Sequence, residues 1–453
     1  MLTGRLGKAM AIWAVLVAAC LVVPASADSK VRIVRMSDVQ GTVQIDRAAG
    51  EGFEKAFLNL PVIEGSRLKT GADGRAEVEF EDGSALRIVP NSEIEFTRLA
   101  LGDEGEKLNT LQLNTGVAYI NVRVKKGDQF TLNFGHESVT VAEAAHFRVD
   151  LTPKAEATLA VFKGKVSGTG PSGQFEVAEK HSATFDLANN DTFALAKNYE
   201  EDPYDAWDRQ QSEYHDRYAK NKTYDMGSPY GYGLSDLNYY GNYMMVPGYG
   251  WVWQPFLTGA GWSPFQDGAW AWYPSFGYMW VSGYPWGWMP YRYGNWIYDP
   301  GFGWFWAPGY WNTWTPIPPV VHPPVRTPIP TPPVRGRQLV VVGRGLTANP
   351  ATPPSRLTIN PGSAGFGVPR GTVRHLDRVA KEADRGTRPV VVSAAPNAPA
   401  RTAPTTGGGD TWRSGGRTGS STGGSRDVSA PRVSPPTHTS SPPHVSPPTP
   451  RPH

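Results

Sequence analysis

Two tryptophans and one arginine stand where side chains could contact a ligand. Trp262 and Trp288 occupy Gly/Pro-containing connectors between repeated segments, and Arg292 follows the second of them. Connecting loops carry binding residues more often than the elements they join. Aromatic faces attract quaternary ammonium groups and also pack against sugar rings. We therefore predict that these three residues contact a ligand.

No set of residues forms a catalytic or cofactor signature. The nine histidines have no partners at metal-ligand spacing, and the sequence contains no phosphate-binding loop and no Gly-x-Ser-x-Gly motif. Carboxylates such as Glu77, Glu79 and Glu81 alternate with apolar residues, which predicts solvated positions on strands rather than acid/base chemistry. The sequence predicts a protein that is not an enzyme and holds no metal or cofactor.

The two connectors belong to a repeated aromatic segment. Three copies of the pattern G-x-[WY]-x-x-x-P-x-[YF]-G-[WY]-x-W occur at residues 241–253, 268–280 and 294–306. Each copy predicts a β-hairpin, because Pro and Gly supply a turn and aromatic residues alternate on both sides of it. A single hairpin is marginally stable in water, so the copies should stack or pair into one module over residues 228–314. The tryptophan that ends each copy is assigned to packing: Trp253, Trp280 and Trp306.

The composition of this module restricts its ligands. Residues 226–314 contain 13 tryptophans but only four formally charged residues. Ionic ligands are therefore poor candidates, whereas sugar rings and quaternary ammonium groups are better ones. The rings could instead form the module's own core, and we favour that interpretation for most of them.

The region from residue 30 to 197 alternates apolar and polar residues with the period of β-strands. In the clearest stretch, Ala76, Val78 and Phe80 face inward, Asp82-Gly83 makes a tight turn, and Leu86 begins the return strand. The absence of a helical period predicts an all-β domain, a β-sandwich or β-roll.

This region resembles the FecR domain. The resemblance rests on residues 60–71, on Asp82-Gly83-Ser84 with the following Pro90-Asn91-Ser92, and on residues 111–116 and 161–166. It implies a periplasmic domain for protein contacts, best known from regulators that relay a transporter signal to a sigma factor. Those regulators carry a sigma-binding segment and a membrane helix before the domain. Since we expect a cleavable signal there instead, we do not expect the regulatory role.

Residues 285–296 resemble an uncharacterised Trp-rich domain that follows FecR-type domains in exported bacterial proteins. That resemblance implies no activity, and relatives often have His where Arg292 stands. Between the two regions, residues 202–222 predict a linking helix with Asp202 as its N-cap, Pro203 at its first position, and an aromatic stripe that includes Trp207 and Tyr214.

The two ends of the chain differ from its body. Residues 1–27 predict a signal peptide, with an apolar run, the small-residue site Ala25-Ser26-Ala27 and a mature protein that begins at Asp28. Cys20, the single cysteine, also fits a lipoprotein signal, which is the minor alternative. Residues 315–453 are rich in Pro, Gly and Ser and carry 17 basic against 5 acidic residues, whereas residues 28–314 carry 25 against 36. We expect a disordered basic tail, either a solvated spacer or a contact for anionic polymers.

Together these patterns predict a mainly β, non-catalytic protein of the periplasm or cell envelope. Its FecR-like domain would make protein contacts, and its aromatic repeats would bind an envelope glycan or an envelope protein. The alternative is a periplasmic component of a FecR-type signalling system. Nucleic acid is not an expected partner, because the chain is predicted to be exported.

Overall fold

A computed structural model describes residues 32–394 except positions 124, 222, 313, 326, 345, 347–348 and 351–353. The predicted signal peptide, with Cys20, lies outside the described residues. The chain is mainly β, as the alternation of apolar and polar residues predicts. Its N-terminal domain, residues 34–196, contains 17 strands: β1 Val34–Gln40, β2 Val43–Asp46, β3 Phe53–Lys55, β4 Pro61–Val62, β5 Arg67–Thr70, β6 Arg75–Glu79, β7 Ala85–Ile88, β8 Glu93–Leu101, β9 Lys107–Val122, β10 Gln129–Phe134, β11 Glu137–Val141, β12 Ala145–Thr152, β13 Glu156–Lys163, β14 Lys165–Gly170, β15 Gly173–Ala178, β16 Ser182–Asp186 and β17 Thr192–Ala196.

These strands form two sheets that share one long strand. The first half of β9 pairs with β8 and, in parallel, with β10. Its second half pairs antiparallel with β7 and β12 in the other sheet. The change of sheet falls at Gly116, which has φ of +83°. A Cβ there would lie 2.4 Å from the Ser92 hydroxyl oxygen, so only glycine allows the strand to turn this corner.

The charged face of β6 is covered by other parts of the chain. Glu77 is fully buried, and Glu79 and Glu81 are 2% and 7% exposed. The predicted alternation along this strand is present, but the expectation of solvated glutamates is wrong. Two helices and the segment before the aromatic repeats pack over this face, with the Gly231 amide donating to the Glu81 carbonyl at 2.8 Å.

The predicted linking helix is present as α1, Asp205–Tyr218. It begins three residues later than expected, so the prediction of Asp202 as N-cap and Pro203 as first helical residue is wrong and Tyr204 is the N-cap. Asp202 accepts a hydrogen bond from the Tyr204 amide at 2.7 Å just before the helix. The side chain of Trp207 packs with Val89 and Tyr119 of the N-terminal domain. A second short helix, α2 Leu234–Tyr240, leads into the repeats.

Each predicted repeat forms an antiparallel hairpin. The strands are β18 Gly241–Val246 with β19 Gly250–Pro255, β20 Gly268–Tyr273 with β21 Gly277–Ser282, and β22 Asn295–Asp299 with β23 Gly303–Ala307. The second strand opens on a glycine with φ between +69° and +76° in all three copies. This is the left-handed position that follows a three-residue hairpin loop, and it explains why glycine recurs there.

The last tryptophan of each repeat lies over the first glycine of the same repeat. A Cβ on that glycine would approach the indole ring to 2.4 Å in the first two copies. All three of these tryptophans are fully buried, which agrees with the packing role assigned to them: Trp253, Trp280 and Trp306. We call residues 241–307 the aromatic module.

The hairpins do not form a single stack. The first and third meet at Trp253 and Trp306 within a five-stranded sheet, whereas the second belongs to a separate three-stranded sheet. Both sheets gain a strand from the region after the module. β24 Val320–Val321 lies parallel to β22, and β25 Val340–Val342 lies antiparallel to β20.

The predicted boundary of a tail at residue 315 is therefore wrong. Besides β24 and β25, the region contributes β26 Arg356–Ile359, helix α3 Leu376–Gly386 and β27 Val390–Ser393. Short apolar runs in this Pro-rich region complete sheet edges that the short hairpins leave open, and composition averaged over the region hides them. The rest of the predicted tail, residues 395–453, lies outside the described residues. None of the helices in the described part of the chain is long and apolar enough to cross a membrane.

Candidate functional site

The three predicted ligand contacts are buried in the structure. Trp262 is 5% exposed, Trp288 is fully enclosed and Arg292 is 1% exposed. The expectation that their connectors present free rings is wrong, because hairpins this short bury the chain that joins them. Trp262 borders a cavity.

Arg292 serves the packing of the module. Its guanidinium donates hydrogen bonds to the backbone carbonyls of Tyr291 at 2.9 Å, Trp280 at 2.8 Å and Pro316 at 3.3 Å. It also lies 5.1 Å from the ring centre of Trp288. Burial lowers the pKa of Arg292 to about 10. With its donors directed at the backbone, this side chain joins the second hairpin to the segment after the module.

The cavity beside Trp262 has a volume of about 470 Å³ and three walls. The connector between the first two hairpins supplies Trp262, with Phe265 and Gln266 beyond it. The third hairpin supplies Tyr298 and Trp304, which face each other across the strands with ring centres 5.4 Å apart. The third wall comes from the C-terminal region and contains Pro324, Thr327, Pro328 and Pro330. We call this space the aromatic cavity.

A buried ionic network joins the N-terminal domain to the rest of the chain. At its centre is Glu77, whose carboxylate accepts from Arg87 at 2.7 Å, from Arg370 at 2.6 Å and from Ser37 at 2.6 Å. His215 of α1 lies 2.9 Å from the same carboxylate. Strands, helix α1 and the C-terminal region therefore meet at one side chain.

Arg35 extends this network to α2 and the aromatic module. It pairs with Glu79 at 3.0 Å and with Asp236 at 2.7 Å, and it donates to the Pro285 carbonyl at 2.8 Å. Asp236 also accepts from the Tyr214 hydroxyl at 2.7 Å. Buried charges are tolerated only when they are paired in this way.

The network keeps Glu77 ionised. Burial by itself would raise the pKa of Glu77, but the adjacent His215, Arg370 and Arg87 outweigh it and hold that pKa well below its ordinary value. Burial likewise opposes the charge of Arg370, and Asp236 and Glu77 raise its pKa well above the ordinary value. These groups act as fixed ion pairs at neutral pH.

Sequence reasoning missed Arg370 entirely, because it lies in a region predicted to be disordered. The glutamates of β6 were visible as an alternating pattern, but nothing in the pattern indicates which side of a strand is covered. Among the residues that the structure describes, no group of His, Cys, Asp and Glu is arranged to hold a metal ion.

Comparisons with known proteins match the N-terminal domain and the aromatic module to two different families. The model of the FecR protein family matches residues 66–167. A family of unknown function, DUF6600, matches residues 234–322, which include the aromatic module. The resemblance to a FecR-domain protein with an uncharacterised domain after it is thereby confirmed.

Solved structures offer a more distant likeness. Two crystal structures of a candidate anti-sigma factor from Parabacteroides distasonis ATCC 8503 are similar to part of this chain, each at 17% identity with a TM-score of 0.27. The similarity covers 31% and 33% of this chain, and 63% and 71% of the other. This chain thus spans slightly less than two thirds of the first structure. No curated protein matches the chain.

Proposed function

We propose that this protein is a non-catalytic binding protein of the bacterial cell envelope. Its FecR-type domain makes protein contacts, and its aromatic module binds an envelope glycan or an envelope protein. The observation that carries this proposal is the aromatic cavity. Its walls come from the connector between the first two hairpins, from the third hairpin and from the C-terminal region. A cavity enclosed by separate segments is the usual form of a binding site.

The buried network supports the same proposal. Glu77 and Arg35 connect the FecR-type domain to α1, α2 and the region after the module. A ligand bound to the module would therefore be held on the body that contains the FecR-type domain. We further propose that the chain is exported, and that the basic C-terminal residues contact anionic polymers of the envelope.

The second candidate function is that of a component of a FecR-type signalling system. The family match to residues 66–167 favours it, since sigma-factor regulators are the best-known proteins with this domain. The two candidates differ in their consequences for transcription. A regulator changes the expression of a target operon when it is deleted, whereas an envelope binding protein does not act on one directly.

Sedimentation of the purified mature protein with isolated peptidoglycan and with outer-membrane vesicles tests the first candidate. The protein is expected in the pellet with at least one of the two fractions and in the supernatant without them. Failure to sediment with either would refute envelope binding. Deletion followed by transcript profiling tests the second, and an unchanged set of sigma-dependent transcripts would refute it.

A further inference from the structure

The described residues that line the aromatic cavity are all uncharged, although the body of the chain is acidic. The nearby carboxylate of Asp267 forms an ion pair with Arg344 at 2.8 Å. An ionic ligand would lose its hydration on entry and find no counter-ion among these residues.

The cavity nevertheless contains polar groups without a hydrogen-bond partner among the described residues. These groups are the side-chain amide of Gln266 and the hydroxyls of Tyr298 and Thr327. They line the same space as the half-buried ring of Tyr298 and the edges of the largely buried Trp262 and Trp304, so apolar ring surface and hydrogen-bonding groups meet in one cavity. A purely apolar ligand would leave these groups unsatisfied.

From this arrangement we infer that the aromatic cavity binds an uncharged saccharide. A sugar ring has apolar C–H faces that pack on aromatic rings and a perimeter of hydroxyls that pair with amides and other hydroxyls. The volume of about 470 Å³ lies within the range of about 300–1,000 Å³ that is typical of small-molecule sites. The inference rests on the proposed function and deepens it, because it names the ligand class and the site.

The contacts fall on residues other than those that the sequence singled out. Trp262 contributes one wall, but Trp288 and Arg292 do not border the cavity. Tyr298 and Gln266 are the best residues to change. Tyr298 is only half-buried, and Gln266 is exposed, so the loss of either side chain spares the core.

The test is isothermal titration of the full mature protein with two neutral trisaccharides, maltotriose and triacetylchitotriose. Trigalacturonate is the anionic comparison, and a proline-rich peptide represents a protein ligand. The variants are Tyr298→Ala and Gln266→Ala. Tyr278→Ala is the matched control. Tyr278 belongs to a cross-strand aromatic pair of the second hairpin, equivalent to the pair of Tyr298 and Trp304 in the third. It is half-buried, like Tyr298, but lies outside the cavity.

We expect a neutral trisaccharide to bind, with affinity reduced at least tenfold in Tyr298→Ala and in Gln266→Ala and within twofold of wild type in Tyr278→Ala. Absence of binding by both neutral sugars would overturn the inference. Tighter binding of trigalacturonate or of the peptide, or an equal loss in the control, would overturn it as well. If the protein still sediments with envelope fractions in those cases, the proposed function stands and only the saccharide site is lost.

Discussion

Replacing Arg370 by Met should destabilise the protein by about 3 kcal/mol. Breaking a buried ion pair by removing one partner costs about 3–5 kcal/mol, because the remaining charge stays buried without compensation. Arg370 pairs with Glu77 at 2.6 Å and lies 3.9 Å from Asp236, and its side chain is 7% exposed. The expected value is at the lower end of the range, because Glu77 retains Arg87 and His215 as partners.

Urea unfolding of the full mature protein, followed by tryptophan fluorescence, measures this change as a shift of the unfolding midpoint. Arg374→Met is the matched control, since Arg374 lies four residues away and is exposed. Its effect should remain within about 0.5 kcal/mol, as for other surface substitutions. If Arg370→Met is as stable as wild type, the C-terminal region does not hold the network together and the reasoning from its burial is refuted.

Four further outcomes follow from the structure. Trp288→Ala should lower the free energy of unfolding by about 3–5 kcal/mol, because the ring is fully buried. A thermal midpoint equal to that of wild type would show that the connector is open. Burial, with the charge of Asp191, raises the pKa of Glu137 from 4.5 to about 7. The folded protein therefore binds this proton more tightly than the unfolded chain, so the stabilising contribution is complete below pH 4.5 and is lost as the pH rises through 7. Unfolding midpoints should accordingly show that Glu137→Gln gains stability relative to wild type as the pH rises from 4 to 8. Parallel curves for the two proteins would contradict this. Limited proteolysis should leave a core that retains β24 to β27, and a stable fragment that ends before residue 340 would count against the added strands. N-terminal sequencing of the exported protein should find Asp28, whereas a lipidated Cys20 would support the alternative signal.

The sequence predicts the elements of this fold better than their surroundings. The alternation around Val78 correctly places one set of side chains in the core of the N-terminal domain, because a period of two is a local property of a strand. It gives no information about Glu77 on the other face, since the helices that cover that face come from residues more than 120 positions later. A burial that depends on such distant segments cannot be inferred from a local pattern.

The same limit explains the outcome for the aromatic module. The repeated glycines and tryptophans identify the hairpins because each pair is in contact within one copy, as with Gly241 and Trp253. The pairing of the first copy with the third, and the strands that β24 and β25 add from a Pro-rich region, are contacts between separate segments and leave no such local pattern. Short apolar runs such as residues 339–342 are visible in the sequence, but their partner strands are not.

In the candidate site, one of the two tryptophans predicted from the connectors borders the cavity and the other does not. Trp262 is predicted as a ligand contact from its place in a connector, and it does border the aromatic cavity. Trp288 occupies the equivalent connector and is enclosed. Its ring packs against Tyr232 and the guanidinium of Arg292, which in turn donates a hydrogen bond to the Pro316 carbonyl after the third hairpin. Repeated sequence therefore does not guarantee a repeated environment.

In the structure, the FecR-type domain, the aromatic module and the region around Arg370 form one folded body. Scanning calorimetry of the full mature protein tests this claim directly. One body predicts a single unfolding transition whose calorimetric enthalpy equals its van't Hoff enthalpy. Two separated transitions, one of which persists unchanged in Arg370→Met, would contradict it.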